Sequence, residues 1–194
     1  MTKKMLFVLT TLFFLTSLNS IAQEEVEKCE NPISVGIKIG VPNLAGLNLE
    51  YVTPLLGGKL AGAADFSYIP VSSADADITI LNWAVGVNYF FKKPGRGLYG
   101  GIATGSLNLD VTAYEGDMSG TATAKISFPL MVKLGAKLGK KFYFRTELGY
   151  GVISAPEQIE VTLKGGGQPD QIEVVEIPPV DMPIIFNLGF GFSF

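Results

Sequence analysis

One stretch of this chain constrains its fold more than any other. From Ile184 to Phe194 every second residue is large and apolar: Ile184, Phe186, Leu188, Phe190, Phe192 and Phe194. Between them stand Ile185, Asn187, Gly189, Gly191 and Ser193. Successive side chains of an extended strand point to opposite faces, so this pattern makes one apolar face and one small or polar face. A helix would spread the same phenylalanines around its circumference.

The pattern recurs upstream. Phe142, Phe144, Leu148, Tyr150 and Val152 alternate with Tyr143, Arg145, Glu147, Gly149 and Gly151. Ile126, Phe128, Leu130, Val132, Leu134, Ala136 and Leu138 alternate with Lys125, Ser127, Pro129, Met131, Lys133, Gly135 and Lys137. Leu81, Trp83, Val85, Val87, Tyr89 and Phe91 form a fourth such set, and weaker alternation covers 33–41, 46–53, 59–69 and 97–111. Eight strands result, an even number as a closed antiparallel barrel needs. Pro129 inside its strand points to a bulge or bend, because proline cannot donate to the ladder.

The less apolar face carries Gly, Ala, Ser and Asn with few charges, where a water-facing sheet would be rich in Lys and Glu. Only 17% of the residues are charged, against about 25% in a typical soluble domain. Small residues with sparse charges suit the cramped interior of an eight-stranded barrel filled by its own side chains, and the Leu, Val and Phe face then suits lipid. The expected fold is an all-β, eight-stranded antiparallel up-and-down transmembrane barrel over 33–194.

The connections sort into two kinds. Leu55–Gly58, Lys92–Arg96 and Gly139–Lys141 are short, and each contains Gly or Pro, as hairpin turns do. The other connections are 42–46, 70–77, 112–120 and the long 154–182. Short turns on the periplasmic side and longer loops outside are the outer-membrane pattern. The outer loops are acidic, and solvation is reason enough for that charge. Within 154–182, residues 157–163 and 171–177 alternate around a Gly-rich centre, so the segment reads either as a projecting hairpin, whose exposed edges suit an extracellular partner strand, or simply as a long loop.

Residues 1–22 read as a cleaved secretory signal peptide: Lys3 and Lys4, an uncharged apolar run from Met5 to Leu18, then Ser20-Ile21-Ala22. Residues 23–32 form an N-terminal periplasmic segment. Of 15 basic residues, 13 remain after Lys3 and Lys4 are removed, against 18 acids, a balance that argues against nucleic acid as a partner. The chain has no His and one Cys, which excludes Ser-His-Asp chemistry, Cys-His pairs and His-metal centres. No cofactor is expected.

Counting registers across the turns assigns lumen pairs. A three-residue turn at 139–141 sets Leu138 opposite Phe142 and Lys133 opposite Glu147. Residues 42–46 as a loop set Val41 opposite Leu47 and Lys38 opposite Glu50. A similar count sets Asp110 opposite Lys125. These six residues and Arg145 are therefore expected to fill the lumen and leave no continuous water path. Tyr51, Tyr89, Phe91, Tyr99 and Phe142 are expected in one interfacial girdle, and Tyr68, Tyr150 and Phe186 in the other.

The signal peptide, the eight amphipathic strands and the terminal Leu188-Gly189-Phe190-Gly191-Phe192-Ser193-Phe194 resemble the small OmpA/OmpX-like outer-membrane β-barrel superfamily, and more narrowly the outer-membrane β-barrel domain proteins of Bacteroidota. The resemblance implies residence in the outer membrane of a Gram-negative cell, among its lipid and lipopolysaccharide. It also implies that Phe190, Phe192 and Phe194 are read by the barrel-assembly machinery. Enzymes resembling this size class rely on an essential His, so the expected role is structural or interactive at the cell surface, without catalysis. The alternative is a narrow channel or a small hydrophobic-ligand transporter.

Overall fold

The computed structural model describes residues 29–116, 118–156, 158–165, 168–176 and 184–194. The proposed signal peptide and most of the N-terminal segment lie outside these. Ten strands occur in order: β1 (Ile33–Val41), β2 (Leu44–Val52), β3 (Leu60–Ser72), β4 (Ala76–Phe90), β5 (Gly97–Glu115), β6 (Met118–Gly139), β7 (Phe142–Ser154), β8 (Gln158–Gly165), β9 (Gln168–Glu176) and β10 (Ile184–Ser193). They form one antiparallel sheet in the order β5-β4-β3-β2-β1-β10-β7-β6-β8-β9, and an additional β5–β6 pairing closes it. The closed ring is an eight-stranded barrel of β1–β7 and β10, with the β8–β9 hairpin attached to its wall.

The period-two pattern explains the facing. On β10 the burial alternates without a break: the large residues are exposed outside, and Ile185, Asn187, Gly189, Gly191 and Ser193 turn inward. The outer surface carries Leu, Val, Ile, Phe and Tyr side chains from every barrel strand. Around the end where β1 begins and β10 finishes, the turns are tight. One is a 3-10 turn at Leu55–Gly58, with Leu56 and Gly57 at positive φ. Another is closed by the Lys93–Arg96 bridge. Phe194 exchanges backbone hydrogen bonds with Ile33 at this terminal end, sealing β10 to β1.

The far end differs from the sequence expectation. Strands β3 to β6 continue well past the expected loops, so 70–77 and 112–120 are mostly ladder, with Asp77 opposite Thr112 and Thr112 opposite Thr121. Along the same edge of β6, β7 stops at Ser154 and β8 takes its place, pairing Ser119 with Lys164 through Ala122 with Val161. One side of the barrel wall is therefore tall, while β1, β2, β7 and β10 end lower.

Pro129 marks a bulge. Ala103 pairs with Met131 and Gly105 with Phe128, so β6 holds one more residue here than β5. The β7 ladder skips at the same place. The inserted residue reverses facing along the rest of β6. From Leu130 to Leu138 the even-numbered residues face out, as the alternation predicts. Beyond the bulge Phe128 and Ile126 turn inward and pack with Ala84, Met131 and Ile185.

Candidate functional site

The lumen is the only place where this fold gathers chemistry among the described residues. It is built in layers. At the terminal end Val52, Ala61, Phe90 and Tyr99 form an apolar cap, with Cys29 packed on it. Above the cap lies a charged layer. Lys38, Glu50, Lys133, Arg145 and Glu147 are all in it, joined by Asp65 and Lys137. Ala84, Phe128, Met131 and Ile185 make the next apolar layer.

Glu147 is the hub. Its carboxylate accepts from Lys38 Nζ at 2.9 Å and Lys133 Nζ at 3.2 Å. Tyr99 Oη donates to it at 2.6 Å and Asn187 Nδ2 at 3.3 Å. Glu50 is held by Arg145 Nη2 at 2.7 Å, Lys137 Nζ at 2.8 Å and Asn88 Nδ2 at 2.9 Å. Asp65 accepts from Lys38 at 2.7 Å and Asn48 at 2.6 Å. The Arg145 guanidinium lies 5.4 Å from the Tyr99 ring centre and 5.5 Å from that of Tyr143, within cation–π range. These carboxylates are thus each matched by cations and neutral donors.

Glycines create the space. Tyr99, Gly135 and Glu147 occupy one rung across β5, β6 and β7. A Cβ on Gly135 would stand 2.5 Å from Tyr99 Cζ. Only a bare backbone lets the phenol cross to Glu147. Tyr143 likewise lies over Gly191 and Gly36, where an added Cβ would meet its hydroxyl. Gly135→Ala is expected to cost about 1–3 kcal/mol through overpacking. A lowered unfolding midpoint in urea, with lipid vesicles as host, checks it.

The registers inferred from sequence need correction. Lys133 stands opposite Gly149, not Glu147, a slip of two residues; the flexible lysine still reaches Glu147 on the diagonal. Lys38 stands opposite Gly46, because the first outer turn spans only Val41–Asn43 between the Gly40–Leu44 rung. Lys38 therefore pairs with Asp65 and Glu147, while Glu50 is bound by Lys137 and Arg145. Asp110 and Lys125 are not lumen residues. The bulge turns Lys125 outward. Asp110 lies opposite Thr123, whose hydroxyl donates to it at 2.7 Å, and Lys125 opposite Asn108; both charges are exposed. Tyr99 is fully buried, so it does not belong to the girdle. The other residues expected there are exposed on the outside.

Lys137, Asp65 and Tyr99 were missing from the expected lumen set. Lys137 was legible, since it shares parity with Lys133. Asp65 lay in a weakly alternating segment, and Tyr99 needed the Gly135 gap to be recognised.

At the tall rim, Tyr114 Oη donates to Asp77 at 2.8 Å. Hydrogen bonds from Ser72 and Tyr114 hold the Asp77 carboxyl below its ordinary range, and the same contact raises the Tyr114 phenol. No group of three or more acidic, His or Cys side chains suited to a metal ion occurs among the described residues. The hairpin expected in 154–182 takes the form of β8 and β9, with Ile172 and Val174 exposed.

No family model matches this chain. No curated protein matches it. Among solved structures it is similar to CarO of Acinetobacter baumannii, at 11% identity and a TM-score of 0.43, over 87% of this chain and 100% of that one.

Proposed function

We propose that this chain is an integral outer-membrane barrel with a structural or cell-surface interaction role and no catalysis. The observation that carries the reading is the inside-out distribution of side chains. Lys38, Glu50, Arg145 and Glu147 are buried in the lumen, while the Phe, Leu, Val and Ile side chains of the same strands are exposed outside. In water that arrangement would leave a very large apolar surface unpaid by any burial. Lipid resolves it, and a closed barrel leaves no unpaired ladder edge within the hydrocarbon. Phe142 and Tyr150 lie eight positions apart on β7, about 26 Å along the strand at ~3.3 Å per residue. At a strand tilt of about 35–45° that spans about 19–22 Å across the membrane, most of an apolar band of about 25 Å.

The filled lumen supports a non-conducting role over a channel. Purified protein in a planar bilayer is expected to show no steady single-channel current, while its migration on gels shifts with heating as a folded barrel's does. A steady conductance abolished by Lys133→Met or Glu147→Gln would overturn the non-conducting reading; solubility without detergent would overturn the membrane reading itself.

Phe190, Phe192 and Phe194 project outward from β10, the strand that closes the ring. Recognition of this terminus by the barrel-assembly machinery predicts that deleting Phe194 lowers the amount of folded barrel in cells severalfold. The unfolding midpoint of refolded protein is expected to change little. Unchanged yield in the outer membrane would count against it.

A further inference from the structure

The terminal rim of the barrel gathers positive charge on one side. The turn between β4 and β5 holds Lys92, Lys93 and Arg96, and the turn between β6 and β7 holds Lys140 and Lys141. β5 and β6 are neighbours here, with Gly97 opposite Lys137, so the two turns lie side by side. Arg96 from one and Lys140 from the other line the same cavity of about 110 Å³. The four lysines are exposed and Arg96 is half-buried. Among the described residues none of the five joins an ion pair, and Glu30 is the one acid lining that cavity. Five cations on one arc of the rim create a field that attracts an anion.

A second observation lies just above the arc, on the outer face of the barrel. Gly100 takes an outward position on β5, between exposed Leu98 and Ile102, and offers no side chain there. Its rung partners, Tyr89 of β4 and Leu134 of β6, are both exposed. The missing side chain leaves an apolar groove of about 670 Å³, lined by Tyr89, Ile102, Val132 and Leu134 and by the backbone of Gly100. Phe91 approaches the same glycine: a Cβ there would stand 3.3 Å from its Cζ. The Tyr89 and Phe91 rings lie 6.1 Å apart, an aromatic pair of the kind that marks a membrane interface. Tyr89 stands three residues before Lys92, and Gly100 three residues after Gly97, each about 10 Å along an extended chain. The groove therefore sits at the depth where acyl chains begin when a phosphate is level with the lysines.

We infer that this arc and groove bind one anionic phospholipid from the leaflet at the terminal end, with its headgroup phosphate on Lys92, Lys93 and the β6–β7 lysines and an acyl chain along Gly100. The inference rests on the membrane reading above and deepens it by naming a lipid class and its place on the wall. A zwitterionic headgroup carries its own cation, which the five positive charges repel. A headgroup with net negative charge gains from each of them. A soluble anion would use the arc alone and leave the apolar groove without a purpose.

The test uses the full barrel in phosphatidylcholine nanodiscs with isotope-labelled isoleucine methyls. Traces of chain-spin-labelled phosphatidylglycerol or phosphatidylcholine are added, identical except in the headgroup. The expected result is about tenfold greater broadening of the Ile102 methyl by the phosphatidylglycerol label. Ile37, on β1 across the ring, should be broadened equally by both. Replacing Lys92, Lys93, Lys140 and Lys141 by Gln should remove the excess at Ile102, and so should about 0.5 M salt on the unaltered protein. Lys125→Gln, which deletes a positive charge far from the arc, should leave it. Gly100→Leu fills the groove and should cut the excess severalfold. Equal broadening by the two labels at Ile102 would overturn the inference. An excess equally large at Ile37 would overturn it too, since the whole barrel then attracts anionic lipid. An excess that survives Gly100→Leu undiminished would overturn the role of the groove. None of these failures touches the heat-shift or solubility results, so the membrane reading falls separately.

Discussion

Glu147→Leu is expected to destabilise the barrel by about 3–5 kcal/mol, the cost of leaving a buried charge without its partner. Lys38 would retain Asp65, but the Lys133 ion pair with Glu147 would be lost, and Tyr99 and Asn187 would lose their acceptor as well. Lys133→Met alone is expected to cost less, about 1–2 kcal/mol, because Glu147 keeps Lys38 and two neutral donors. Combining the two substitutions should recover part of the loss, since no lone lysine then remains in that corner. Trp83 is the one tryptophan of the chain and faces outward on β4, so its fluorescence reports unfolding in urea from lipid vesicles. A loss below about 1 kcal/mol for Glu147→Leu would mean that water screens the layer.

Phe128→Ala is expected to be comparably damaging, at about 3–5 kcal/mol, because its ring is buried among Ala84, Met131 and Ile185. The ring is inside only because of the bulge. One β5 residue, Thr104, lies between the rungs Ala103–Met131 and Gly105–Phe128, where β6 has both Pro129 and Leu130. Deleting Pro129 should therefore straighten β6 and leave both halves facing as they do, since Leu130 outward and Phe128 inward are then plain alternation. Labelling checks the geometry: a cysteine at position 125 should react with a membrane-impermeant thiol reagent in the parent barrel and equally in the deletion variant. Protection in the deletion variant would show that the upper wall does not obey this register.

The architecture was legible because it depends on a strictly local signal. Alternation in β10 and β7, and the turn residues at Leu55–Gly58 and Gly139–Lys141, report facing and strand ends without reference to distant residues. The upper wall was harder. Pro129 signalled an irregularity, but parity counted straight through it, and Asp110 and Lys125 were assigned to the wrong face. Strand lengths at the far end were also hidden, because polar outward residues such as Asp77 and Thr112 read as loop when the apolar side of the ladder faces a lumen. Ion-pair partners were least legible. Parity identifies residues that share the lumen, while the partner of Lys38 or Glu50 depends on which strands face each other across it.

That last point bears on how the barrel comes together. Of the ion pairs described, Lys38–Asp65, Lys38–Glu147, Lys137–Glu50 and Arg145–Glu50 all join strands that are not neighbours in the ladder; only Lys133–Glu147 links adjacent ones. An open sheet on its way into the bilayer would lay these seven charges along one face with a single partnership formed. Insertion hairpin by hairpin would therefore carry naked ions through hydrocarbon. Ring closure and charge neutralisation become one event, so assembly should be sharply cooperative, with half-built sheets held at the membrane surface until the last strand arrives.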